Sequence, residues 1–485
     1  METIVGISAN EKIKFWLKVF SGPLCFLVVK SLPLQGLASE GKFVLALYLW
    51  IIAWWVTQPL PWGVTSLLPL IVLPAAGLMK LGDISSLYGQ KLLFFLVGVL
   101  LFGHAVQKHG LGKRIALYFL SLKWVGGSIN RIMFAFLCSI AVLSAFIDDA
   151  ATVALGIPIA MSIVDFIIAT TKQARITTLK EQKLQAFAAL GVLYAAEAGG
   201  IMTVAGIPHI TTAISVMEKT VNQTVSFVEW SLTGIFLGIF SLIAYWFVLK
   251  LFFNPELKNI PDVNGYFQKE KAKLGRLKKG EINTLIVFVV MLALWIAPLF
   301  IKLDFIEIWF APIMGAVLLY LLPADNEGKK GTLEAKDLQD GLPWNIIFLI
   351  LCGSVMASAT TEFGVIQWIQ SMIPTNLNPA ALPFLAGFTT AGVSNFISGV
   401  ATVNIMGNIL FPVAAKIGLD PQILVRILPA TGMAIMLPWA GAATGTAFST
   451  GKIRINDMIK CGFAASIIHI IAVTILSCVL VPLFY

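Results

Sequence analysis

The chain has 485 residues, of which 58% are hydrophobic and 12% charged, and its formal net charge is +9. This composition excludes an ordinary water-soluble domain, in which about a quarter of the residues are charged. Several long stretches contain no Asp, Glu, Lys or Arg: 43–79, 231–249, 284–301, 363–415, 427–451 and 461–485. Because a helix of about 20 apolar residues crosses a bilayer, these stretches predict transmembrane helices, singly or in pairs.

In chain order, the apolar segments predict eleven crossings, and a short segment at 113–122 follows the fourth. Pro59 and Pro61 mark the turn between the second and third crossings. The crossings are predicted near 14–32, 42–57, 63–80, 91–107, 184–217, 231–251, 284–301, 308–322, 343–360, 424–449 and 457–484.

Basic residues predict the orientation. The loops 254–283 and 171–183 are rich in Lys and Arg, whereas 374–381 and 417–423 contain neither. By the positive-inside rule, the first two loops are cytoplasmic. We therefore expect a multi-pass protein of a bacterial-type plasma membrane, with its N-terminus inside and its C-terminus outside. The excess of positive charge is better explained by this topology than by binding of nucleic acid. The charged run 325–340 is predicted to be a solvated cytoplasmic loop.

A repeated motif relates the two halves of the chain. Residues 144–153 and 394–403 share six of ten positions. The shared pairs are Ser144/Ser394, Phe146/Phe396, Ile147/Ile397, Ala151/Ala401, Thr152/Thr402 and Val153/Val403. An internal repeat in a membrane protein is typical of transporters, in which two related half-structures enclose the binding site.

Each repeated motif is predicted to form a re-entrant hairpin. About 16 apolar residues precede each polar tip and about 15 follow it, so neither side is long enough to cross the membrane. The first hairpin has basic flanks, 123–131 and 171–183, and the second has uncharged flanks. The hairpins therefore enter from opposite faces, as in an inverted-topology repeat.

A helix interrupted by small residues is predicted after each hairpin. The first interruption runs from Glu197 to His209 and contains Gly199, Gly200 and Gly206, and the second spans 437–446. Gly and Pro free backbone groups at mid-membrane, where they can bind ions and anionic substrates. The predicted fold is an all-α polytopic membrane protein with about eleven transmembrane helices and two re-entrant hairpins in an inverted-topology repeat.

Over nearly its whole length, the chain resembles the divalent anion/sodium symporter family of dicarboxylate and sulfate transporters. The family pattern Gly-Gly-x-x-Thr-x-x-Gly-x-Pro is present from Gly199 to Pro208. The Ser-Asn-Thr signature of the family tips is changed to Asp148-Asp149-Ala150 and Ser398-Gly399-Val400. The resemblance implies a homodimeric secondary transporter of di- or tricarboxylates or similar divalent anions. It would work by alternating access, as a cation-coupled symporter or as an anion exchanger.

Two sets of site residues follow from this resemblance and from the acidic first tip. The predicted substrate-binding residues are Asp149, Ala150, Gly200, Thr203, Ser398, Gly399, Val400 and Thr444. The predicted cation- or proton-binding residues are Ser144, Asp148, Asp149, Glu197, Gly199, Ser394, Ser398 and Ala440. An ionised Asp only accepts hydrogen bonds, so Asp149 would repel an anion unless a proton or a cation neutralises it. The expected coupling ion is sodium or a proton, with no other metal and no cofactor.

Several alternatives stay open. Asp148 and Asp149 could cap the helix that follows them. Glu197 could pair with a nearby basic residue and serve only the packing of the helices. The tip sequence also fits a cation/proton antiporter of the same superfamily fold. A receptor or scaffold that keeps the fold without transport is a further alternative. Catalytic and phosphate-binding motifs are not found, so we predict no enzymatic activity.

The hairpins and the interrupted helices are predicted to form a mobile transport unit that moves against a scaffold. In this prediction, residues 1–130 and 231–342 belong to the scaffold, and residues 131–230 and 343–485 belong to the transport unit.

Overall fold

The computed structural model describes residues 9–171, 178–254, 263–301, 307–325, 330–372, 378–433, 435–438 and 440–484. Within these ranges every regular element is helical, apart from an isolated β-bridge between Pro323 and Gly331. Seven helices of the described chain are long and apolar enough to cross a membrane. They are Ser39–Thr57, Leu81–Lys108, Asp149–Ala169, Phe227–Phe253, Lys279–Leu299, Trp344–Glu362 and Ile455–Phe484. Six of them coincide with predicted crossings, and the count of eleven stays a prediction.

The first half of the chain forms helices α1 to α11. They are α1 Ala9–Ser31, α2 Ser39–Thr57, α3 Trp62–Thr65, α4 Leu68–Ala75, α5 Leu81–Tyr88, α6 Lys91–Lys108, α7 Leu111–Leu120, α8 Ile129–Ser144, α9 Asp149–Thr171, α10 Thr178–Gly200 and α11 Pro208–Val221.

The second half forms helices α12 to α23, with one turn of 3₁₀ helix, Ala297–Leu299, after α14. They are α12 Phe227–Phe253, α13 Val263–Lys273, α14 Lys279–Ile296, α15 Phe310–Leu321, α16 Asp337–Asp340, α17 Trp344–Glu362, α18 Val365–Met372, α19 Leu382–Ser394, α20 Gly399–Lys416, α21 Pro421–Thr431, α22 Ala442–Ser449 and α23 Ile455–Phe484.

The predicted crossing at 63–80 coincides with two short helices, α3 and α4, in the apolar helical segment Trp62–Ala75, and as a crossing it stays a prediction. Pro69 lies in the first turn of α4. Proline has no N–H to donate to the carbonyl four residues earlier, so a continuous helix through this position would lose a backbone hydrogen bond.

Each repeated motif forms a helix, a short tip and a second helix, namely α8–α9 and α19–α20. The arm after the first tip is longer than predicted, because α9 has 23 residues and continues past Asp165. Asp165 is exposed, so the helix can extend beyond the apolar segment without burying this charge. Since α9 is long enough to cross a membrane, the re-entrant geometry stays a prediction.

Both helices that follow the hairpins are interrupted, but the second break lies earlier than the predicted 437–446, because α21 ends at Thr431 and α22 begins at Ala442. The first break separates α10 from α11, and the second separates α21 from α22. At Gly206 a Cβ atom would lie 2.3 Å from the Gly200 carbonyl oxygen and 2.7 Å from that of Ser144. Because glycine has no Cβ atom, the first break can pack directly against the end of α8 and against the end of α10.

The charged run 325–340 is only partly a solvated loop. Within it, Asp337 is 8% exposed. Its carboxylate accepts hydrogen bonds from Lys108 Nζ at 2.6 Å and from the Glu334 backbone amide at 2.6 Å, and it lies 2.9 Å from His104 Nε2. This polar cluster fixes the segment before α17 against the end of α6. The partners are distant in sequence, so their pairing was not predictable from local pattern.

We expect Asp337→Asn to destabilise the fold at neutral pH by about 2 kcal/mol, because hydrogen bonds to charged groups contribute on this order. Burial alone raises the pKa of Asp337, but the bonds from Lys108, the Glu334 amide and His104 outweigh it and hold the pKa below its usual value. A carboxylate with a lowered pKa stabilises the fold above its unfolded pKa of about 3.9. That contribution is lost as the pH falls through the folded-state pKa.

Thermal unfolding in detergent at pH 7 and at about pH 3 measures this effect. The difference between wild type and Asp337→Asn should shrink at the lower pH. Asp340→Asn is the matched control, because the Asp340 side chain is 55% exposed and pairs at 3.7 Å with the exposed Lys336. Equal destabilisation by both substitutions would contradict the prediction.

Candidate functional site

A cavity of about 90 Å³ lies where the two hairpin tips meet the two interrupted helices. Its wall also includes side chains from α3 and α17. The residues lining it are Trp62, Asp148, Asp149, Ala150, Glu197, Pro208, His209, Ile346, Leu349, Ser398, Gly399, Val400, Gly432, Met433, Ala440, Gly441, Ala442, Ala443 and Thr444. The repeat motif thus brings together segments about 250 residues apart in the chain.

Most of the predicted site residues line this cavity. From the substrate set these are Asp149, Ala150, Ser398, Gly399, Val400 and Thr444, and from the cation set Asp148, Asp149, Glu197, Ser398 and Ala440. The others do not line it: Gly200, Thr203, Ser144, Gly199 and Ser394. The wall residues that the sequence analysis did not select are small or apolar except for His209, namely Trp62, Pro208, His209, Ile346, Leu349, Gly432, Met433, Gly441, Ala442 and Ala443.

The residues behind the first tip hold it against the interrupted helix. Thr203 Oγ1 donates a hydrogen bond to the Ala145 carbonyl oxygen, and the same Thr203 oxygen accepts from the Ala205 amide at 3.2 Å. At Gly199 a Cβ atom would lie 2.1 Å from the Ala141 carbonyl oxygen. Ser144 Oγ is buried without a hydrogen-bond partner among the described residues. It is therefore an oxygen that remains available to a small cation.

Both acids of the first tip have local hydrogen bonds. Asp148 immediately precedes α9, and its Oδ1 accepts from the Ala151 amide at 3.4 Å. Asp149 Oδ1 accepts from the Ala150 amide at 2.7 Å. Both side chains therefore contribute to capping of α9. Capping uses one oxygen of each carboxylate, and both residues also line the cavity.

Glu197 adds a third carboxyl group to the same cavity. It is 4% exposed, and its Oε2 is buried without a hydrogen-bond partner among the described residues. The lining contains no Lys or Arg, and His209 is its sole imidazole. Three carboxylates in one cavity without Lys or Arg are costly in free energy, and a bound proton or cation lowers that cost. No group of three or more His, Cys, Asp or Glu side chains among the described residues has a metal-binding arrangement.

At the second tip, neighbouring atoms pack so closely against Gly399 that a side chain would not fit. A Cβ atom at this position would lie 2.2 Å from the Gly432 carbonyl oxygen and 2.3 Å from His209 Nε2. The Ser398 carbonyl oxygen accepts from the Thr402 amide at 2.9 Å, and the Ser398 side chain makes no capping bond. The tip therefore presents the Ser398 hydroxyl and the start of α20 to the cavity.

Four helices of eight or more residues begin at a residue that lines the cavity, namely α9, α11, α20 and α22. The N-terminus of a helix carries partial positive charge and free amides, which favour anions. At α22 the Gly441 amide already donates to Thr444 Oγ1 at 2.9 Å. The site thus combines anion-favouring backbone from both halves with three carboxyl groups from the first half.

Comparison with known proteins is consistent with this architecture. The profile of the family described as the sodium:sulfate symporter transmembrane region matches residues 14–484. The chain is 28% identical over 474 residues to the sodium-dependent dicarboxylate transporter SdcS of Staphylococcus saprophyticus, covering 95% of this chain and 90% of that protein. It is 28% identical over 477 residues to SdcS of Staphylococcus aureus, with the same coverage.

The fold is similar to that of a solved transporter. The crystal structure of the Alcanivorax borkumensis YdaH transporter, described as having an unusual topology, superposes with a TM-score of 0.52 at 12% identity. The match covers 97% of this chain and 98% of that chain. Because the family profile covers nearly the whole sequence, the chain belongs to the family of the sodium:sulfate symporter transmembrane region, whose members are membrane transporters.

Proposed function

We propose that this protein is a secondary transporter that carries a dicarboxylate across the membrane together with sodium. The observation that carries the proposal is the cavity between the two tips, at which four helix N-termini converge. It lies in a chain that is 28% identical to the sodium-dependent dicarboxylate transporter SdcS over 95% of its length. Helix N-termini from both halves suit a substrate with a carboxylate at each end.

The cavity volume favours a short dicarboxylate over a tricarboxylate. At about 90 Å³ it is smaller than a typical ligand pocket of roughly 300–1,000 Å³. In the proposed binding mode, Ala150, Ser398, Gly399, Val400 and Thr444 contact the substrate. Asp149 borders it with its charge neutralised by a cation or a proton. Gly200 and Thr203 support the first tip from behind.

For sodium, the proposed ligands are oxygen atoms on either side of the tips. The first group comprises Ser144, Asp148 and the backbone near Gly199, and the buried hydroxyl of Ser144 supports it. The second group comprises Ser394, Ser398 and the backbone near Ala440. Ser394 Oγ donates to the Ala391 carbonyl oxygen at 3.0 Å, which leaves its lone pairs available to a cation.

The proposed mechanism is alternating access, with 131–230 and 343–485 as the moving unit. Phe146 at the first tip packs against Phe288 of α14, with ring centroids 4.7 Å apart. Its repeat counterpart Phe396 is 74% exposed. The two tips therefore differ in their contacts although their sequences are related, as expected of a transporter in one of two states. The same proposal includes a homodimer in a bacterial plasma membrane, with a cytoplasmic N-terminus and an external C-terminus.

Uptake into proteoliposomes tests this function. Labelled succinate, malate, 2-oxoglutarate and citrate are supplied with an inward sodium gradient, with an inward proton gradient, or with unlabelled anion trapped inside. We expect the sodium gradient to drive accumulation of the dicarboxylates and little uptake of citrate. Uptake that requires trapped anion and ignores both gradients would indicate an exchanger. Absence of carboxylate uptake under all conditions would refute the proposal.

A cation/proton antiporter is the second candidate, and the group formed by Asp148, Asp149 and Glu197 favours it. Three carboxyls at one buried cavity without Lys or Arg are suited to alternate binding of a proton and a cation. Acid-loaded vesicles containing a pH-sensitive dye distinguish the candidates. Alkalinisation on addition of external sodium, without any carboxylate, would establish the antiporter.

A further inference from the structure

A second, larger pocket lies at the end of the molecule that the basic loops predict to be cytoplasmic. Its volume is about 380 Å³, within the range of ligand pockets. The start of α10, the end of α12 and the segment between α22 and α23 form its wall. It shares no lining residue with the cavity between the tips.

Positive charge dominates this pocket. Lys183, Lys452 and Arg454 line it together with a single acid, Asp457. Among the described residues neither lysine forms an ion pair, and Arg454 Nη2 donates to the neutral Gln182 Oε1. Three cations that converge from α10 and from the segment before α23 therefore have no described acidic partner within 4 Å. Such an arrangement favours a bound anionic group.

The surroundings of the pocket are apolar and exposed. Phe252 forms part of its wall, and the preceding residue, Leu251, is 80% exposed. On the other side, Ile455 follows Arg454 and is 41% exposed. In a membrane protein, exposed apolar residues at helix ends are suited to contact with the acyl chains of lipids. A small soluble anion would not contact these apolar residues. A phospholipid carries both a phosphate, which can bind the basic side chains, and acyl chains, which can contact the apolar ones.

We propose that this pocket binds the phosphate of an anionic phospholipid headgroup, with the lipid chains against Leu251 and Ile455. Lys183, Lys452 and Arg454 would contact the phosphate, and Phe252 would pack against the glycerol backbone. Basic pockets between transmembrane helices at the cytoplasmic surface are suited to such headgroups. The bound lipid would join α10 and α12 to the start of α23. This proposal does not depend on the substrate that the tip cavity carries.

The test is binding of defined lipids to the delipidated full-length protein in detergent. Phosphatidylglycerol, phosphatidylcholine and soluble glycerol 3-phosphate are titrated, with native mass spectrometry for bound lipid and thermal unfolding for stabilisation. The pocket variant is the triple substitution Lys183→Gln, Lys452→Gln and Arg454→Gln. The matched control is Lys123→Gln, Lys269→Gln and Arg276→Gln, which removes the same charge from exposed positions outside the pocket.

We expect wild type and the control variant to bind phosphatidylglycerol at least about tenfold more tightly than phosphatidylcholine, and the pocket variant to lose this preference. Three outcomes would overturn the proposal. The first is an equal loss in both variants, which would show a general charge effect. The second is equal affinity of the wild type for glycerol 3-phosphate, which would assign the site to soluble phosphate. The third is no preference of the wild type for the anionic lipid.

Discussion

Gly399→Ala is expected to lower transport at least about tenfold, because the second tip has no room for a methyl group. The added Cβ would lie 2.2 Å from the Gly432 carbonyl oxygen and 2.3 Å from His209 Nε2. The carbonyl belongs to the backbone at the second helix break, so either the tip or the break must move. Overpacking of this kind typically costs about 1–3 kcal/mol, and here it displaces the residues that face the cavity.

Initial uptake rates in proteoliposomes, with thermal unfolding in parallel, measure this effect. Gly392→Ala is the matched control, since Gly392 lies in α19 of the same hairpin and its Cβ would meet no atom within 4 Å. The control should transport at the wild-type rate. If Gly399→Ala is as active as Gly392→Ala, the close packing of Gly399 against the break is not important for transport.

Asp149→Asn is expected to remove the dependence of uptake on the driving ion and to lower gradient-driven uptake at least about tenfold, or about 1.4 kcal/mol. Asp149 lines the cavity, and one of its carboxylate oxygens accepts a hydrogen bond from the Ala150 amide. Asparagine keeps an acceptor for that amide and therefore keeps the capping bond. It cannot bind a proton or provide a negative charge for a cation, so the substitution separates the coupling role from the capping role.

Asp165→Asn is the control on the same helix, because Asp165 is exposed and does not line the cavity. Glu197→Gln should act in the same direction as Asp149→Asn. The two effects should not be additive if the carboxyls share one ion or proton. Uptake by Asp149→Asn with wild-type rate and wild-type ion dependence would show that the Asp149 carboxylate serves capping alone.

The sequence by itself determined the class of the protein, the position of both tips and the existence of both helix breaks, although the second break lies earlier than predicted. These features depend on local composition: long uncharged segments, a repeated motif, and Gly or Pro within an apolar helix.

Tertiary structure alone decided which of the candidate residues face the cavity. Thr203 bonds to the Ala145 carbonyl and does not line the cavity, while His209 packs against Gly399 from the other half of the chain. The tertiary structure likewise brings Lys183 and Arg454 into one pocket and buries Asp337 beside Lys108. The physical reason is that periodicity and composition constrain each segment separately. Contacts between segments hundreds of residues apart depend on how the helices pack, and the sequence of either segment alone does not specify this.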